Sequence, residues 1–169
     1  MKKLNLGCGK IIKSGYVHLD KMKFPGVDVV HDLEKFPYPF KANTFDEIYC
    51  RMILEHVTDV AKVVAELYRI SKPNAVWKVI VPYFKSDGAF SHIEHKHYFT
   101  EDLFVLWTRK SKNLAEVPPS EAKLEAVKIE KRCTGKLRKF LPFKKILNLI
   151  LWNIYDDLYF EMRVKKIKN

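Results

Sequence analysis

Leu4-Asn5-Leu6-Gly7-Cys8-Gly9 is an apolar strand that runs straight into a pair of glycines, and it decides how the rest of the chain reads. Two later strands each end on an acidic residue: Tyr16-Val17-His18-Leu19-Asp20, then Val27-Asp28-Val29-Val30-His31-Asp32. A strand that stops at Gly-x-Gly lets backbone N–H groups approach a ligand with no Cβ in the way. A carboxylate at the tip of the neighbouring strand can accept both hydroxyls of a ribose. Together the two features describe a nucleoside pocket.

Only Lys10 to Gly15 separates Gly9 from Tyr16. A parallel crossover ordinarily takes at least ~10 residues and a helix, whereas six extended residues cover only about 20 Å, enough to return along one short strand. The spacing therefore predicts a first crossover helix that is missing or a single turn, with no long helix dipole behind the ligand loop.

Further along, Thr44-Phe45-Asp46-Glu47-Ile48-Tyr49-Cys50 reads as a strand, followed by the short motif Leu54-Glu55-His56-Val57. Val60, Val63, Val64, Leu67 and Ile70 recur at helical spacing within 59–72, leaving Lys62, Glu66 and Arg69 outward, and Pro73-Asn74 is placed to stop that helix. Val76 to Pro82 reads as the next strand. Thr100-Glu101-Asp102 opens a helix near 100–110, 137–154 reads as a basic-to-apolar helix, and the alternation in Ala122–Cys133 and Asp157–Ile167 predicts two closing strands.

The order of these blocks resembles the class I S-adenosylmethionine-dependent methyltransferases, in particular the small-molecule, methyltransferase type 11-like group whose first motif reads Leu-x-Leu-Gly-Cys-Gly. The resemblance covers most of the chain. It implies an α/β, doubly wound Rossmann-like sheet closed by a C-terminal antiparallel hairpin, forming one domain over residues 1–169, with S-adenosyl-L-methionine as cofactor. It further implies that Gly7, Cys8 and Gly9 line the methionine and ribose side, that Asp20 accepts the ribose hydroxyls, and that Asp32 faces the adenine with Leu33 backing the ring. Asn5 stands where relatives usually carry an acidic residue at the cofactor's amino end, and Arg51 follows the fourth strand within reach of the methionine carboxylate. Each carboxylate also has a plain structural reading, Asp20 as a strand-end turn residue and Asp32 as a turn cap.

On the acceptor side the candidates are His56, just beyond the fourth strand, and His95, in Ser91-His92-Ile93-Glu94-His95-Lys96-His97-Tyr98-Phe99. An imidazole titrates near neutrality, so either could orient an acceptor or take its proton, or simply cap a turn. The three histidines of that stretch do not make a metal pattern by themselves: only His95 and His97 share a face when extended, and none stands four apart on a helix. No metal is expected from this spacing, and His92 and His97 are expected to be solvated.

Composition sets the outer bounds. The 169 residues suit one domain, and 47% hydrophobic with 13% aromatic content excludes a disordered chain. Cys8, Cys50 and Cys133 are too widely spaced for a disulfide framework or a zinc ribbon. The start of the chain has no signal-peptide core and no apolar run reaches ~18 residues, so a cytoplasmic location is expected. Net charge is +11, unevenly placed: residues 1–108 hold 15 Lys and Arg against 13 Asp and Glu, whereas residues 109–169 hold 16 against 7. That asymmetry suits an anionic partner or a solvated basic face. Residues 136–152 can be read as a core helix with a lysine-rich entry, the favoured reading, or as an amphipathic segment on an acidic membrane serving a glycan- or lipid-linked acceptor. The function expected is methyl transfer to a small-molecule or sugar- or lipid-linked acceptor. Its rivals are a nucleic-acid methyltransferase, which Arg51-Met52-Ile53-Leu54 disfavours because a base-gripping Asn/Asp-Pro-Pro-aromatic motif is lacking, and a non-catalytic cofactor-binding protein on the same fold.

Overall fold

The computed structural model describes residues 1–103 and 123–166. Seven strands form one sheet: β1 (Lys3–Leu6), β2 (Tyr16–Asp20), β3 (Val29–Val30), β4 (Phe45–Arg51), β5 (Ser71–Pro82), β6 (Leu124–Arg132) and β7 (Asp157–Val164). They lie in the order β3-β2-β1-β4-β5-β7-β6. The first five are parallel, and β7 runs antiparallel between β5 and β6. This is the expected α/β sheet with its closing hairpin.

Alternation along the strands sorts the two faces. Leu4, Leu6, Ile48, Cys50, Trp77, Val79, Leu158, Phe160 and Met162 are buried in one core. Helix α1 (Val60–Ile70) packs Val63, Val64, Leu67 and Ile70 into that core. It starts where the Asp59 side chain accepts the Lys62 N–H at 2.9 Å, an N-cap. The opposite positions carry Tyr16, Glu47, Lys78, Tyr159 and Glu161, joined by a Tyr16–Glu47 hydrogen bond, a Lys78–Glu47 ion pair of 3.0 Å and a Tyr159–Glu161 bond of 2.8 Å.

No helix lies between Gly9 and Tyr16, and β1 and β2 are parallel in register from Lys3↔Tyr16 to Leu6↔Leu19, as the six-residue spacer requires. The loop is tied inward instead. The buried Asn5 amide donates to the Ile11 carbonyl at 2.8 Å, and the Lys13 N–H donates to His18 Nε2 at 2.9 Å.

Five expectations change. Helix α1 ends at Ile70, before Pro73: the Ser71 hydroxyl donates to the Leu67 carbonyl, Trp77 Nε1–H donates to that same hydroxyl, and Ser71 already pairs with Phe45. Asn74, with φ +63, is a kink inside the long strand β5, where the pairing with β4 shifts register. Glu66, expected outward, is buried and bonded to the Tyr38 N–H at 2.6 Å and to Arg69. The 137–154 helix is broken into a 3-10 turn (Arg138–Phe140) and a short helix α3 (Lys144–Ile150), because Pro142 is followed by Phe143 at φ +53. Between β5 and β6 lies a short helix, α2 (Asp87–Phe90), and residues 101–103 are again helical. The strand read over 27–31 shortens to Val29–Val30, and most of the helix expected over 100–110 lies outside the described residues.

Candidate active site

The order of strands reverses direction of growth at β1: β2 and β3 lie on one side, β4 and β5 on the other. Ligands of such sheets bind at the carboxyl ends of the strands beside this switch point. Gly7, Cys8 and Gly9 sit there. Gly7 has φ +59, and a Cβ on it would fall 2.2 Å from the Ile53 side chain, so this glycine is needed for packing. Gly9, at φ +52, is different: a Cβ there would meet nothing within 4 Å. Its backbone therefore borders open space.

Asp20, nearly buried, holds the rim of that space. Oδ2 accepts the Gly9 N–H at 2.8 Å and Oδ1 accepts the Met22 N–H at 2.9 Å. Each oxygen keeps further acceptor capacity, because a carboxylate offers about four lone-pair sites. The Cys8 N–H donates to the Leu19 carbonyl at 3.1 Å, and burial pushes the Cys8 thiol above its ordinary pKa, with the Asp20 charge adding to the effect. The His31 N–H donates to the Asp20 carbonyl at 2.9 Å, which sets the third strand end beside the second. Asp32 then accepts the Glu34 N–H at 3.1 Å, a turn-capping bond, and Leu33 packs against the core.

Of the residues expected at the cofactor, the structure thus brings Gly7, Cys8, Gly9 and Asp20 together. Asn5 supports the loop from beneath through Ile11. Arg51 is exposed at the end of β4, and its charge acts on Glu55.

A second cluster forms where the Leu54-Glu55-His56 turn meets residues 92–97. The Glu55 carbonyl accepts the Lys96 N–H at 2.7 Å and the His97 N–H at 3.3 Å, while a Tyr83–Phe99 bridge anchors the far end of the segment to the end of β5. His56 and His95 meet edge to face with ring centroids 4.7 Å apart, and His92 lies 5.2 Å from His95. His95 Nδ1 lies 2.8 Å from the Ala89 carbonyl. Burial, then the neighbouring His95, hold His56 below its ordinary pKa, so its ring is neutral and basic at pH 7. His97, expected to be solvated, is half-buried and lies with Nε2 2.9 Å from the Val57 carbonyl. His92 is exposed as expected.

Glu55 was visible in the motif but not singled out. It is 1% exposed, neither carboxylate oxygen has a hydrogen-bond partner among the described residues, and burial pushes its carboxyl up to about 7. The other residues missed are His18, which holds the ligand loop, and Ile53, which walls Gly7.

A sequence profile described as a methyltransferase domain matches residues 12–77. The fold agrees with that match over nearly the whole chain. This is the class I S-adenosylmethionine-dependent methyltransferase fold. A methyltransferase from Archaeoglobus fulgidus superimposes with a TM-score of 0.68 at 15% identity, over 96% of this chain and 85% of that one. The N-methyltransferase NodS from Bradyrhizobium japonicum, solved with S-adenosyl-L-homocysteine, gives 0.60 at 12% identity over 98% and 78%. The [4+2]-cyclase SpnF gives 0.62 at 14% identity over 99% and 75%, a cyclase on the same methyltransferase-like fold. Among curated proteins none matches the sequence.

S-Adenosylmethionine is the cofactor this domain match carries with it. The open approach to the Gly9 backbone and the nearly buried Asp20 carboxylate both suit a ribose-bearing ligand. Among the described residues no helix is long and apolar enough to cross a membrane.

Proposed function

We propose that this chain transfers a methyl group from S-adenosylmethionine to a small-molecule or sugar- or lipid-linked acceptor. The observation that carries the reading is the pairing of an uncovered Gly9 backbone with Asp20 at the switch point of the sheet. S-Adenosylmethionine brings a methyl group already activated on its sulfonium, so alignment of the acceptor is the protein's main task. Asp20 takes the ribose hydroxyls, Gly7 to Gly9 border the ribose and methionine, Asp32 and Leu33 flank the adenine, and Arg51 pairs with the methionine carboxylate. Asn5 acts through the loop it ties. His56, neutral at pH 7, and His95 stand on the acceptor side, where they hold the nucleophile or take its proton.

An acceptor at an acidic membrane surface is favoured by residues 137–152. Phe143, Leu149 and Ile150 are each 76% exposed, and Leu137, Phe140, Ile146 and Trp152 are exposed with them, beside Lys136, Lys139, Lys144 and Lys145. Of α3 only Asn148 is buried among the described residues, while Leu141 and Leu147 pack in part against the core, so the stretch is anchored on one side and exposed on the other. Apolar side chains interleaved with lysines on a short helix suit the headgroup boundary of anionic lipid.

Calorimetry with S-adenosylhomocysteine tests the cofactor half; no heat and no thermal shift at millimolar ligand would sink it. Flotation with vesicles containing or lacking phosphatidylserine tests the second half. Binding should require the anionic lipid and fall by roughly 30-fold in Lys144→Gln/Lys145→Gln, at about 1 kcal/mol per lysine. Equal binding to neutral vesicles, or none to either, removes the membrane from the proposal.

A further inference from the structure

We propose that Glu55, His56 and His95 form a binding site for a divalent transition-metal ion. One ligand atom from each of the three lies within 4.8 Å of the others. A tetrahedral ion bound at ~2.0–2.2 Å from each ligand spaces its ligands roughly 3.3–3.6 Å apart, so the three side chains need draw in by only about an ångström.

Glu55 is the second, independent observation. A carboxylate withdrawn from water without a hydrogen-bond partner is costly, and buried charges are normally paired or coordinate metals. Both Glu55 oxygens are in that condition, and a ring nitrogen of His56 and one of His95 lie within 4.8 Å of a Glu55 oxygen. An ion among them gives the carboxylate the partner that the described residues do not.

The surroundings are those of a held ligand set. With the Ala89 carbonyl 2.8 Å from His95 Nδ1, that nitrogen carries the proton and Nε2 keeps its lone pair. A backbone carbonyl bonded to the far ring nitrogen is the usual way a metal-ligating histidine is oriented. The Glu55 carbonyl accepts both the Lys96 and His97 N–H groups, and Lys96 Nζ donates to the Thr58 hydroxyl at 2.7 Å. These bonds fasten the His95 segment to the Glu55–His56 turn across forty residues of chain.

Two imidazoles and one carboxylate favour zinc, cobalt, nickel or manganese over calcium or magnesium. Three protein ligands leave a tetrahedral ion one open position. The site stands on these residues alone; with an ion bound, the ring lone pairs are spent on it, and His56 and His95 would position an acceptor through the ion's open position rather than take its proton.

Cobalt(II) reads the site directly. Untagged protein, stripped with a chelator, should develop visible d–d absorption that saturates at one equivalent of cobalt and is displaced by zinc. Glu55→Gln, His56→Ala and His95→Ala should each weaken cobalt binding by 10- to 100-fold or abolish the bands, while His97→Ala leaves them. Circular dichroism checks that each variant is folded; if Glu55→Gln is not, the wild-type spectrum and the two histidine variants decide. No d–d bands at millimolar cobalt, binding that is unchanged in His95→Ala, or equal loss in His97→Ala overturns the site.

Discussion

At the β1–β2 edge of the ligand loop the polar groups are tied down: Asn5 to Ile11, His18 to Lys13 and Asp28, and Asp20 to Gly9 and Met22. At the far end, residues 137–152 turn phenylalanines, leucines and a tryptophan outward among lysines. The first region is a preorganised rim in which backbone N–H groups fix the carboxylate before any ligand arrives. The second leaves apolar surface on a seven-residue helix whose burial must come from outside the described residues. A hydrogen-bonded rim and an exposed apolar surface suit the proposed division between one invariant ligand and one membrane-borne acceptor.

The sharpest way to break this contrast is at the histidine cluster on the proposed acceptor side. Replacing His56 or His95 by Ala should lower turnover roughly 100- to 10,000-fold, with S-adenosylhomocysteine affinity nearly unchanged. Full rate in both variants on a genuine acceptor would return the histidines to a structural role. Next comes Asp20→Ala, expected to weaken S-adenosylhomocysteine binding by about 1.5–3 kcal/mol, or roughly 10- to 150-fold by calorimetry. Unchanged affinity would remove Asp20 from the ribose.

The two glycines of the rim separate packing from binding. Gly7→Ala must move Ile53 as well as hold an unfavourable φ, and should cost about 1–3 kcal/mol of stability in a urea melt. Gly9→Ala should cost only about 1 kcal/mol of stability but weaken the cofactor further, since its Cβ points into open space. Equal losses in both would mean that Gly9 is not at the ligand.

The smallest effect lies away from both regions. Burial pushes the Glu66 carboxyl up, but its bonds to Arg69 and to the Tyr38 N–H outweigh that and hold it below its ordinary 4.5. Its contribution is therefore present above about pH 4.5 and is lost as pH falls through the lower folded value. Melting temperatures of wild type and Glu66→Gln between pH 6 and 3 should converge on acidification; parallel curves would contradict the pairing.

Strands β1, β2 and β4 were legible because glycines, acids and alternation mark their ends within a few residues. The missing crossover helix followed from chain length alone. What escaped was tertiary. Helical spacing put Glu66 outside α1, yet the chain after Phe36 returns to give it the Tyr38 N–H. Apolar content argued for burying 137–154 as one helix; Pro142 was the local sign of a break, and the left-handed Phe143 after it completes the split. The histidine stretch carried no metal spacing of its own; Glu55, which completes the proposed site, lies forty residues earlier and is brought to it by tertiary pairings such as Glu55–Lys96 and Tyr83–Phe99.

The loop that replaces the first crossover helix also has a thermal consequence. That side of the sheet carries Tyr16, Glu47, Lys78, Tyr159 and Glu161 in place of an apolar stripe pressed against a helix, so unfolding uncovers less hydrocarbon there. Apolar exposure raises the heat capacity of unfolding and polar exposure lowers it, so the increment per residue should fall below the usual ~12–15 cal/mol/K. A smaller increment flattens the curve of stability against temperature. The chain should therefore lose stability slowly on either side of its optimum, cooling included.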